Sequence, residues 1–111
     1  MSLSTHVLDI ARGRPAEGVP LRLERQTDNG WAELATAQTD ADGRANLLPS
    51  GAPVESGVYR LTFDTGAYHS HQGVEAFYPE ASVVFRLAEP ERHYHVPLLL
   101  APWGYSTYRG S

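Results

Sequence analysis

The strongest constraint on the fold of this chain is a two-residue alternation of apolar and polar side chains, broken at short intervals by turn residues. Leu3, Thr5 and Val7 alternate with Ser4, His6 and Leu8, and Val19, Leu21 and Leu23 with Pro20, Arg22 and Glu24. Tyr59, Leu61 and Phe63 alternate with Val58, Arg60 and Thr62, and Val83, Phe85 and Leu87 with Ser82, Val84 and Arg86. Tyr94, Val96, Leu98 and Leu100 alternate with His93, His95, Pro97 and Leu99. Successive side chains of a strand point to opposite faces, so each run is a half-buried β-strand. Several such runs at near-regular spacing predict an all-β sandwich or barrel. "DNG" at 28–30 predicts a tight hairpin, because Asn-Gly supplies positive φ values. A further run spans 31–39, and "DADG" at 40–43 marks the next turn.

Two segments break the pattern. "LLPSGAPVESG" (47–57) reads as a loop. "TGAYHSHQGVEAFYPE" (65–80) has room for one or two helical turns over 67–72, stopped by Gly73. At 111 residues the chain reads as one domain, 1–111, able to bury a core without staples. It has no cysteine, which excludes disulfides and thiolate chemistry. All nine of its basic residues are arginine, which excludes a lysine Schiff base. A net charge of -4 gives no footprint for nucleic acid. No apolar run is long enough for a membrane span, and the first residues lack the pattern of a secretory signal. The end is not Ser-Lys-Leu, so the expected location is the cytoplasm.

The five histidines are the first candidates for chemistry. His6 lies opposite Val7, and His93 and His95 lie opposite Tyr94 and Val96. If the apolar faces build the core, His6 and His95 point outward. Imidazole suits proton transfer near neutral pH, although outward histidines are equally ordinary surface residues. His93 and His95 have chelating spacing on a strand, whereas His69 and His71 would diverge on a helix. No carboxylate completes a familiar ligand spacing, so no metal site is expected. Arg44, just after an Asp-Gly turn, is either a surface cation or a planar fork for an anionic or carbonyl-rich ligand. No Gly-x-Ser-x-Gly elbow marks a serine nucleophile. Pro97 removes a ladder donor and marks an irregular position. Leu99, outward beside His95, points to a partner subunit covering that face.

"LSTHVLDIARGRPAEGVPLRL" (3–23), "TGAYHSHQGVEAFYPE" (65–80) and "HYHVPLLLAPWGYSTYRGS" (93–111) together resemble the transthyretin-like family over nearly the whole chain. The terminal Tyr-Arg-Gly-Ser resembles its enzyme branch, the 5-hydroxyisourate hydrolases, more closely than transthyretin itself. The resemblance implies a transthyretin-like β-sandwich of two four-stranded sheets with one short α-helix. It also implies a homotetramer, a dimer of dimers around a channel, with the active site where the dimers meet. His6 in "STHVLD", Arg44 in "DGRA", His95 in "HVP" and Tyr108 in "YRGS" match the family's functional positions. His6, Arg44 and His95 are the implied catalytic residues. His6, Arg44, Tyr108 and the terminal carboxylate of Ser111 are the implied substrate contacts. His69, His71 and His93 fall outside the pattern.

Alternation splits the tail. Ser106, Tyr108 and Gly110 share one face, with Tyr105, Thr107 and Arg109 on the other, so Tyr105 is a core candidate and Tyr108 a channel candidate. Arg109 either contacts substrate or braces the tail, for example by pairing with a carboxylate. The reaction implied is cofactor-independent hydrolysis of a cyclic amide in an oxidised purine, on the route from urate to allantoin. Two alternatives remain beside it: a transthyretin-type carrier without chemistry, and a structural sandwich with no small-molecule site.

Overall fold

The computed structural model describes residues 2–48, 55–89 and 92–110. Its strands are β1 (Ser2–Asp9), β2 (Arg14–Pro15), β3 (Pro20–Thr27), β4 (Gly30–Gln38), β5 (Arg44–Leu48), β6 (Gly57–Phe63), β7 (Ala81–Leu87), β8 (His93–His95), β9 (Leu98–Ala101) and β10 (Gly104–Thr107). One helix, α1 (Thr65–His71), lies between β6 and β7. The strands form two sheets. One runs β4-β3-β6-β7 and is antiparallel throughout. In the other, β1 pairs antiparallel with β5 and parallel with β8 and β9, and β10 lies antiparallel on β9. The two residues of β2 pair with the last two of β1.

A two-sheet sandwich with one short helix agrees with the implied fold. The sheet built on β1 has six segments, in part because Pro97 separates β8 from β9. Proline has no N–H for the ladder, so the strand is interrupted there. The carbonyl of Pro97 instead accepts from Thr107 Oγ1 at 2.7 Å. With β8 and β9 taken as one interrupted strand and β2 as an extension, this sheet too has four strands.

The alternation places the core. Leu3 and Val7 of β1, Leu23 of β3, Tyr59, Leu61 and Phe63 of β6, and Leu98 of β9 are all fully buried. Burying such side chains supplies the main driving force for closing the two sheets. Two buried polar groups of β1 are satisfied by hydrogen bonds. Thr5 Oγ1 donates to the Val96 carbonyl at 2.6 Å. Asp9 accepts from Tyr68 Oη at 2.7 Å and from the Arg12 amide at 3.0 Å, which ties α1 to the end of β1.

Several local expectations are corrected. The helix starts at Thr65, not 67, because Asp64 caps it by accepting from the Ala67 amide at 3.1 Å. Leu47 and Leu48 belong to β5, and 49–54 of the expected loop lie outside the described residues. In the β3–β4 hairpin Asn29 keeps a negative φ, and only Gly30, at +122°, is positive. Tyr105 is not in the core. It pairs with Leu100 on the inward side, but β10 is the last strand of its sheet among the described residues. The residue is 37% exposed, and its ring meets Tyr78 edge-on at 5.5 Å.

Candidate active site

Because Leu3, Thr5, Val7 and Asp9 point inward, Ser2, Ser4, His6 and Leu8 occupy the outer face of β1. The register then decides their neighbours. His6 is the cross-strand partner of Arg44, and Ser4 that of Asn46, on β5. On the parallel side Ser4 pairs with His95 and Ser2 with His93. One face of one sheet therefore collects His6, Arg44, Ser4, His95 and His93, with Leu8 opposite Leu99 further along.

Each group is held. His6 Nε2 lies 2.9 Å from the carbonyl of Asp42. A carbonyl only accepts, so Nε2 carries a proton and Nδ1 is the nitrogen left free. That carbonyl belongs to the turn that delivers Arg44. The Asp40 carboxylate accepts from the amides of Asp42 and Arg44 at 2.9 and 3.0 Å. Gly43, at φ +76°, fills the corner, where any Cβ would strike the carbonyl of Val7. One turn thus fixes both the ring of His6 and the start of the arginine.

His95 is half-buried, with Nδ1 2.8 Å from Ser4 Oγ. Burial lowers its pKa from the ordinary 6.5, and the charges of Arg44, His93 and His6 lower it further. The tail closes over it from the other side. The Gly110 amide donates to the His95 carbonyl at 2.8 Å. A Cβ at Gly110 would lie 2.6 Å from His95 Cδ2, so the glycine sits against the ring.

Tyr108 is 57% exposed. It lines a groove of about 240 Å³ that also includes Arg86, Tyr94, His95 and Arg109. Arg109 braces the tail, but through an aromatic ring rather than a carboxylate: its guanidinium lies 4.9 Å over Tyr94. The structure therefore gathers His6, Arg44 and His95 on one face and brings Tyr108 beside His95 from the tail. Ser111 lies outside the described residues.

The remaining histidines are dispersed. His69 is buried against Tyr68, with ring centroids 5.3 Å apart. His71 borders a cavity of about 780 Å³, with Arg12, Arg14, Glu17 and Gln72. That cavity contains none of His6, Arg44 and His95. The rings of His93 and His95 stack 6.4 Å apart. Among the described residues no third His, Cys, Asp or Glu joins them in a metal-binding group.

Chemically, two imidazoles with different free nitrogens stand near a guanidinium. Such a set can take a proton from water, return one to a leaving group and stabilise a developing oxyanion.

The sequence profile of the HIUase/Transthyretin family matches residues 3–110. The chain belongs to that family. It is 48% identical over 109 residues to the 5-hydroxyisourate hydrolase of Salmonella typhimurium, covering 98% of this chain and 80% of the relative. The structure of Klebsiella pneumoniae 5-hydroxyisourate hydrolase superposes with a TM-score of 0.86 at 44% identity, each chain covered completely. Sea bream transthyretin, solved in complex with thyroxine, superposes with a TM-score of 0.90 at 40% identity, over 97% of this chain and 93% of that one.

Three features of this family member's candidate site escaped sequence reasoning: Ser4, the Asp42 carbonyl and Gly110. Ser4 carried a usable signal, since it lies two residues before His6 on a strand and must share its face. The other two depend on turn and tail geometry that no periodicity records.

Proposed function

We propose that this protein is a 5-hydroxyisourate hydrolase with its active site on the outer face of β1, β5 and β8. The observation that carries the reading is the convergence of His6, Arg44 and His95 on that face. Water adds to the C6 carbonyl of the oxidised purine, the N1–C6 bond breaks, N1 takes a proton and C6 leaves as a carboxylate. One imidazole deprotonates the water and the other protonates N1. The Arg44 guanidinium fixes the carbonyl-rich ring and stabilises the oxyanion. Tyr108 hydrogen-bonds the ring from the tail, and Ser111 is carried over as a further substrate contact. The chemistry uses side chains alone, with no cofactor.

The working form we propose is a homotetramer, a dimer of dimers, with this face covered by a neighbouring subunit. Supporting that, β7 and β10 each end a sheet, and Ile10 and Trp103 are large exposed apolar side chains. No helix among the described residues is long and apolar enough to cross a membrane, and we place the enzyme in the cytoplasm.

The test follows the ultraviolet decay of freshly generated 5-hydroxyisourate. The protein should accelerate decay beyond the spontaneous rate, and His6→Ala, Arg44→Ala and His95→Ala should each lose at least roughly a hundredfold. No acceleration by the wild type would refute the reading. Saturable binding without turnover would favour the carrier that the likeness to sea bream transthyretin suggests. A monomer by solution size measurement would refute the shared site.

A further inference from the structure

The face that gathers His6, Arg44 and His95 carries one more polar side chain. Along β5, Ala45 and Leu47 are buried, whereas Arg44 and Asn46 are exposed. Asn46 therefore projects on the same side as Arg44, two residues further along. Its cross-strand partner is Ser4, and Ser4 has His95 as its partner on the other side. Asn46, Ser4 and His95 make one row across three strands, beside the row of Arg44 and His6. The register shifts just past Asn46: Leu3 meets Leu48 while Ser4 meets Asn46, so Leu47 is the extra residue of a bulge. Asn46 is thus the last residue of β5 in step with Arg44 and His6. Strand spacing puts it about 10 Å across the face from His95 and about 7 Å along β5 from Arg44. A two-ring ligand laid over Ser4 and His6 sits inside that frame.

The groups on this face differ in what they can offer a ligand. The guanidinium of Arg44 only donates. His6 commits Nε2 to the Asp42 carbonyl, and Ser4 Oγ lies 2.8 Å from His95 Nδ1 and 3.4 Å from His93 Nε2. An oxidised purine presents ring N–H groups as well as carbonyls, and an N–H taken out of water needs an acceptor. Asparagine is depleted in strands, so backbone preference does not account for Asn46. Its carboxamide places an acceptor, Oδ1, beside a donor, Nδ2. That pair matches a ring N–H next to a ring carbonyl, as an asparagine reads a base edge through two parallel hydrogen bonds.

We propose that Asn46 is a specificity-determining substrate contact, its carboxamide reading one ring N–H and the adjacent carbonyl of the oxidised purine. This rests on the proposed hydrolase reading and deepens it, because it adds a residue that selects the ring. No proton moves to or from Asn46. Its hydrogen bonds form with the bound ring and persist through the reaction, so they act on binding and leave the chemical step unchanged. A site that commits an acceptor to a ring N–H rejects the analogue in which that hydrogen is replaced by methyl.

The experiment uses the intact protein and has two arms. In the first, urate and its 1-, 3-, 7- and 9-methyl derivatives are titrated into the wild type and into Asn46→Ala by calorimetry. At least one methyl should weaken binding to the wild type about tenfold. Asn46→Ala should bind urate about tenfold more weakly and lose its discrimination against that methyl, the coupling expected of two groups in contact. Asn46→Asp keeps the acceptor and should keep the discrimination. In the second arm, Asn46→Ala should raise KM for 5-hydroxyisourate about tenfold with kcat within about twofold. A wild type that does not bind urate, or that binds every methylurate equally well, would overturn the proposal, and that series needs no variant to fold. So would an Asn46→Ala protein with unchanged affinity, discrimination and KM, or one that loses kcat alone. If the wild type binds urate but does not hydrolyse 5-hydroxyisourate, the hydrolase reading fails while the titrations still decide on Asn46.

Discussion

Replacing Tyr68 by phenylalanine removes a single oxygen from the joint between α1 and β1. That oxygen donates to Asp9 at 2.7 Å, and Asp9 is only 2% exposed. The variant leaves one carboxylate oxygen buried without its donor, while the other keeps the Arg12 amide at 3.0 Å. A hydrogen bond to a charged group is worth about 1.5–3 kcal/mol. For a chain this short, about 4 °C of Tm accompanies each kcal/mol, so Tm should fall roughly 6–12 °C. The pH dependence is more diagnostic. Burial first, then the hydrogen bond and charge of Asp9, push the Tyr68 hydroxyl from 10.0 up to about 12. The folded state therefore holds this proton more tightly than the unfolded chain. Its contribution is complete below pH 10 and is lost as pH rises from 10 toward 12. At pH 11 the loss is about 1.4 kcal/mol, and phenylalanine has no proton to lose. Urea unfolding followed by circular dichroism, at fixed protomer concentration, gives both numbers. Tyr68→Phe should trail the wild type by about 1.5–3 kcal/mol at pH 7, and by about 1.4 kcal/mol less at pH 11. A gap below about 0.5 kcal/mol at pH 7, or one that does not narrow at pH 11, would refute the reasoning.

The depressed pKa of His95 keeps it neutral to lower pH than an ordinary histidine, so the acid limb of kcat/KM should fall below pH 6.5. His93→Gln removes one of the charges responsible and should move that limb to higher pH; a limb that stays put would argue against His95 as the titrating group. Gly110→Ala should cost about tenfold in kcat, because its Cβ would sit 2.6 Å from His95 Cδ2 and displace the ring or the tail. Circular dichroism should show the sheets unchanged, and full activity in this variant would remove the tail from the site. For the same reason, an affinity tag fused after Ser111 should depress turnover more than one placed before Met1, in side-by-side assays of the two proteins.

Period-two alternation made β1, β3, β6, β7 and β8 legible, and with them the outward placement of His6 and His95. It works because one face of each strand must be dry. What alternation cannot carry is the identity of the neighbour across the ladder. Ser4 meets His95 only because β1 and β8 pair in parallel, 91 residues apart in sequence. Tyr105 shows a different limit. Its face was readable, since it pairs with Leu100, but its burial was not, because an edge strand has no neighbour to cover it. For Arg109 the sequence leaves open a substrate contact or a brace, with a carboxylate as the example partner; the guanidinium lies over the ring of Tyr94, which charge pairing alone would not suggest. Asn29 carried the strongest hairpin signal in the chain, yet Gly30 alone supplies the positive φ.

The interruption at Pro97 explains why the end of the chain matters to the site. An unbroken strand through β8 and β9 would satisfy its own carbonyls by pairing with β10. With Pro97 in place, β10 ends at Thr107, and the carbonyls of His95 and Pro97 need other donors. Thr107 Oγ1 takes the second, and the Gly110 amide takes the first at 2.8 Å. The tail thus continues the sheet across the break, and in doing so lies directly against the ring of His95. Only a residue without a Cβ fits there. The remaining face of the ring edge is held by Ser4 from β1. His95 is therefore clamped by two segments from opposite ends of the sequence, so that an imidazole placed on a short, broken strand is still held in one orientation. Since misplacing a reacting group by about 1 Å can cost a hundredfold in rate, loosening the tail's grip on the His95 ring should slow turnover even where the tail does not touch the substrate.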